Sequence, residues 1–116
     1  MSFSEIEAAR IRKALDAFMA NRRPPPHIRG ELDFGSTISG HSVEVFEVRP
    51  AWRGKPGEKV ERPFAKTTFV RARGVWRVFW MRQDLKWHEY QPMPEVKTIE
   101  AFFDLVSEDA HACFFG

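Results

Sequence analysis

Apolar and polar positions change their period twice along this chain. Between residues 5 and 21 the apolar residues Ala8, Ile11, Leu15 and Phe18 recur at spacings of three and four, while Arg10, Lys13 and Asp16 fall between them. That spacing gives a helix one apolar stripe and one watery face. Ser4 followed by Glu7 marks its start as a capping box, in which the hydroxyl and the carboxylate each satisfy a free backbone N–H. Pro24, Pro25 and Pro26 end it, because proline lacks the N–H and disfavours helix in the residue before it. The triplet reads as a stiff elbow.

From residue 31 the period shortens to two. Strands are predicted over residues 31–38, 42–49, 64–71, 75–82 and 85–90, separated by SGH, by a long Pro/Gly-containing loop, by ARG and by RQD. Connections this short favour antiparallel neighbours in chain order. The helical period then returns: Thr98 is placed as an N-cap, and Ile99, Phe102, Phe103 and Val106 form a second apolar stripe backed by Glu100, Asp104, Glu108 and Asp109. The expected architecture is α+β, a single domain over residues 1–116: an N-terminal helix, about five antiparallel strands in a meander, and a C-terminal helix packed on the sheet. The ending Ala112-Cys113-Phe114-Phe115 is unusually apolar, so Phe114 and Phe115 are expected to be buried either in the domain's own core or against a second subunit, for which they are the candidate contacts.

Alternation divides the most aromatic stretch, RGVWRVFWMRQDLKWHEY from Arg73 to Tyr90, by face. Trp76, Val78 and Trp80 share a side without charge and are assigned to the core. Phe79 and Met81 share the other side with Arg77, and Lys86, His88 and Tyr90 are assigned to it as well. Two readings fit a face of this kind: Phe79 and Met81 lie under a helix with the arginine stems flanking them, or the rings stack nucleobases while the arginines hold phosphates, although no RNA-binding signature is present.

Composition changes this picture in one respect. The 116 residues carry a net charge of only +2, but the charge is segregated. Residues 1–48 hold six basic and seven acidic side chains, residues 49–86 eleven and three, and residues 87–116 one and six. A basic block points to an anionic partner. The loop from Pro50 to Lys59 adds Trp52, Arg53 and Lys55; it is too long for a tight hairpin turn and reads either as a basic arm or as a segment that folds Trp52 back over the core as a lid. Arg49, Trp52, Arg53, Lys55, Arg71, Arg73, Arg77, Lys86, His88 and Tyr90 are therefore the candidate binding residues.

One cysteine excludes an intramolecular disulfide, and no apolar run reaches signal-peptide or membrane-span length, so a cytoplasmic location and no membrane partner are expected. The sequence RRPPPHIR, the run VFEVRPAWR, the aromatic block and the closing EDAHACFFG together resemble a family of short bacterial proteins catalogued as domain of unknown function 3024. The resemblance spans nearly the whole chain, implies a single-domain bacterial protein, and brings no activity, cofactor or catalytic residue with it.

Enzyme chemistry is the weaker expectation. Asp33, Glu44, Glu47, Arg49 and Lys66 lie on neighbouring strands, yet Glu47-Val48-Arg49 has arginine where nuclease motifs need lysine. His88, His111 and Cys113 lack the paired spacing of a zinc site. No catalytic residue, metal or cofactor is assigned. The leading expectation is a non-enzymatic binding domain for an anionic macromolecule, nucleic acid first. The alternative is a homo-oligomer, here a homodimer, in which the acidic second helix and apolar tail of one copy meet the basic sheet of another.

Overall fold

The computed structural model describes residues 3–51 and 54–109. Helix α1 spans Glu5–Arg22, with the Ser4 side chain accepting from Glu7 N–H and the Glu7 side chain returning to the Ser4 N–H, as the capping box requires. Strands follow as β1 (Asp33–Ser39), β2 (Ser42–Pro50), β3 (Lys59–Val70), β4 (Val75–Met81), β5 (Trp87–Glu89) and β6 (Glu95–Val96), and α2 (Ile99–Glu108) closes the order. The first five strands form an antiparallel meander, and β6 pairs with β4 beside β5. The α+β architecture expected from the periodicity is the one observed.

Both helices cover the same side of the sheet. Ile11, Ala14, Leu15 and Phe18 of α1 and Ile99, Phe102, Phe103 and Val106 of α2 meet Val43, Val45, Ala65, Trp76 and Val78 in one core. The α2 stripe is buried as its spacing predicts, and on α1 Ala14 joins the buried set in place of the half-exposed Ala8. Arg10 pairs with Glu100 at 2.9 Å, and the rings of Phe18 and Phe103 lie 5.2 Å apart, so the helices run side by side in the same direction.

Three expectations need correction. Strand β3 starts at Lys59 rather than Phe64, and β2 continues to Pro50, so the two strands flank the expected 50s arm directly and leave only residues 51–58 between them. The reversal is a compact turn with hydrogen bonds from Ala51 N–H to Glu58 O at 3.0 Å and from Glu58 N–H to Lys55 O at 3.0 Å. Residues 59–62 escape detection because all four are exposed, and a strand wet on both faces has no apolar alternation to read. The second correction is a shorter β5, since Leu85 takes φ 60 inside the turn. The third concerns Trp80, which is half-buried against the rim of the core with the Arg82 guanidinium 5.4 Å from its ring centre.

Candidate functional site

Residues directly opposite in an antiparallel pair point to the same side of the sheet, so the register composes the uncovered face row by row. One row reads Thr37, Glu44, Lys66, Phe79, Glu89 from β1 to β5. The next reads Ser39, Ser42, Thr68, Arg77, Glu95, ending on β6. Met81 opposite Trp87 extends the face at one corner, and Gly35 opposite Phe46 extends it at another.

Aromatic rings and cations share the centre of this face. The Lys66 ammonium lies 5.8 Å from the Phe79 ring centre and 5.7 Å from that of Trp87. The Arg77 guanidinium lies 5.0 Å from the same Phe79 ring and reaches Glu89 at 3.3 Å. Glu44 stands directly across from Lys66, yet the ammonium rests over the rings and forms no ion pair with it. Phe46 is half-buried for a different reason: its ring lies over Gly35, where an added Cβ would come 2.5 Å from a ring carbon.

Charge on the folded protein is less segregated than charge along the chain. Arg49 pairs with Glu47 at 3.0 Å, Arg71 with Glu7 at 3.1 Å, Arg77 with Glu89 at 3.3 Å, and Arg73 with Glu95. Every one of these carboxylates comes from outside residues 49–86. Much of the basic block is thus matched by the acidic segments that flank it. The Arg71 hydrogen bonds, joined by the Ser4 backbone N–H, hold the Glu7 carboxyl down at about 2. Arg23, bonded to Asp33 at 2.8 and 2.9 Å, lowers the Asp33 carboxyl in the same way and ties the proline elbow to β1.

The remaining expected residues scatter. Lys55 is exposed at the β2–β3 turn and Lys86 at the β4–β5 turn. Tyr90, expected on the wet face, is 1% exposed in the core, and His88 faces the helix side with its Nε2 2.8 Å from Asp84 Oδ2. Trp80 opposes His88, so the even-numbered residues of β5 share the helix-covered face with Trp76 and Val78. The reason is hairpin arithmetic: Arg82 N–H bonds Lys86 O, and a turn one residue longer would reverse the faces. The same arithmetic delivers Trp87 to the uncovered face, where it joins Lys66. Hydrogen bonding to His88 in turn lowers the Asp84 carboxyl.

Trp52, Arg53, His111, Cys113, Phe114 and Phe115 lie outside the described residues. The nuclease set does not assemble: Asp33 is held by Arg23 and Glu47 by Arg49, and Glu47 faces the opposite side of the sheet from Glu44. Among the described residues no three His, Cys, Asp or Glu side chains come together as a metal site requires, and no helix is long and apolar enough to cross a membrane.

Comparison with known proteins gives one match. A family model described as Domain of unknown function (DUF3024) covers residues 3–116. No curated protein and no solved structure matches. The chain belongs to the DUF3024 family.

Proposed function

We propose that the protein is a binding domain whose uncovered sheet face takes a single-stranded nucleic acid, with Phe79 and Trp87 as stacking platforms and Lys66 and Arg77 as phosphate contacts. The observation that carries this reading is the placement of one lysine over two rings of a sheet face that neither α1 nor α2 covers. Base–aromatic stacking contributes ~1–3 kcal/mol per base and tolerates any base, since each has a π-face. Among the described residues Lys66 contacts rings and no carboxylate, so it has no ion pair to break when a phosphate arrives. Arg77 and Arg73 sit in surface ion pairs, which are worth about 0–1 kcal/mol, so exchanging carboxylate for phosphate costs little. The basic cluster is therefore smaller than the eleven basic residues of the central block suggest.

The test is fluorescence anisotropy of a labelled single-stranded oligonucleotide across a salt series. Binding at low salt that weakens as salt rises supports the reading, because each phosphate contact releases a counterion. Trp87→Ala and Lys66→Glu are expected to lower affinity at least tenfold while circular dichroism stays unchanged. Absence of binding at low salt overturns the proposal, as does wild-type affinity in both variants.

A further inference from the structure

Strand β3 outruns the sheet. It pairs with β2 from Lys59 onward but with β4 only from Ala65 to Val70, and β4 ends at Met81. Among the described residues, 59–62 therefore have a paired strand on one side only. Beside them lies an open notch of about 710 Å³, lined by Val60, Glu61, Arg62, Pro63, Met81 and Leu85 among others. Val60 is 43% exposed and Leu85 77%. An unpaired edge of this kind is a template for another strand.

The hydrogen-bond phase says which groups are offered. Ala51 N–H donates to Glu58 O, so the alternation of an antiparallel ladder turns the backbone of Val60 and Arg62 toward β2 and that of Lys59 and Glu61 outward. Pro63 is the next outward position and has no N–H to offer. A second strand must bring its own outward positions opposite these.

The side chains then choose among the registers. When the occupant is another copy of this edge running antiparallel, Lys59 can face Lys59, Glu61 can face Glu61, or Lys59 can face Glu61. The first two oppose like charges, which destabilises a cross-strand pair. The third also sets Glu58 against Arg62 and Val60 against Val60. The run Glu58-Lys59-Val60-Glu61-Arg62 is thus charge-complementary to itself about Val60. Glu61 and Arg62 have no ion pair or side-chain hydrogen bond among the described residues. Lys59 donates to Gly30 O at 2.5 Å and keeps donors for a second acceptor. Glu58 accepts from Lys55 N–H through one oxygen, leaving the other.

We infer that two copies of the chain pair edge to edge through residues 58–62 of β3, antiparallel, about a two-fold axis between the two Val60 residues. The axis stands normal to the sheet, so the uncovered faces of both copies lie on the same side. The pairing is short and far below the ~800 Å² per partner of stable interfaces, which makes it dependent on concentration. It stands independently of any nucleic-acid ligand.

Sedimentation velocity over a concentration series is expected to show a monomer–dimer equilibrium. Lys59→Glu and Glu61→Lys each place like charges opposite one another, and each alone is expected to sediment as monomer across the range in which the wild type dimerises. Mixed in equal amounts, the two variants again oppose Glu to Lys at both positions, and the dimer is expected to return. Wild type that stays monomeric throughout overturns the inference. So does undiminished dimer in either variant, or a mixture that remains monomeric while circular dichroism shows both variants folded.

Discussion

On the helix-covered side of the sheet Val43, Val45, Val78 and Phe102 have no surface left in water, whereas on the other side Phe46, Phe79 and Trp87 each keep part of theirs. Both sides draw on the same aromatic-rich segments. The covered side buries its rings against helices; the uncovered side shields them with cations and glycine, Lys66 and Arg77 over Phe79 and Phe46 over Gly35. Aromatic content alone therefore says nothing about which rings hold the fold together and which are available to a ligand. What separates them is register.

The sharpest way to break this comparison is to remove a ring from each side. Phe102→Ala is expected to cost ~3–5 kcal/mol in denaturant unfolding, the usual penalty for emptying a fully buried phenylalanine site. Gly35→Ala comes next: the new methyl must displace the Phe46 ring, and overpacking of this kind costs about 1–3 kcal/mol. Phe79→Ala, on the uncovered side, is expected to cost less than either, about 1 kcal/mol by its partial burial. A Phe79→Ala loss as large as that of Phe102→Ala would mean that the two faces are not different in kind.

The smallest effect sharpens the electrostatic side of the comparison. Glu7 holds α1 to Arg71 at the end of β3, and its carboxyl is lowered from 4.5 to about 2. A carboxyl depressed on folding contributes stability that is complete above its unfolded value and is lost as pH falls through its folded one. The melting-temperature advantage of wild type over Glu7→Gln is thus expected to be constant above about pH 5 and to shrink between about pH 4.5 and pH 2. An advantage that does not change over that interval would separate the cap from the ion pair.

Both helices and the order of the strands were legible because each element there carries one clean period: Ile99, Phe102, Phe103 and Val106 admit one helical reading, and all four are buried. Legibility fails where burial stops dictating residue type. Lys59 to Arg62 form a strand with no buried side and so resemble a loop in sequence. The two-residue β6 lies below the length at which alternation can be recognised. Tyr90 was placed on the wrong face because alternation fixes faces within one strand, and only the turn between Arg82 and Lys86 carries the phase to the next. The basic block was plain in the sequence, but its ion pairs were not, since Arg71 finds Glu7 across 64 positions of chain.

The two helices that lie side by side come from opposite ends of the described chain, with Arg10 and Glu100 separated by 90 positions. A chain leaving the ribosome at ~5–20 residues per second completes its hairpins early, since each joins neighbours in sequence. Its core, however, waits for α2: until Phe102, Phe103 and Val106 emerge, Phe18, Trp76 and Val78 lack the part of the core that α2 supplies. During synthesis the nascent domain therefore carries an apolar surface that α2 closes, and shortening the chain before α2 is expected to yield a species retained by chaperones rather than a smaller folded protein.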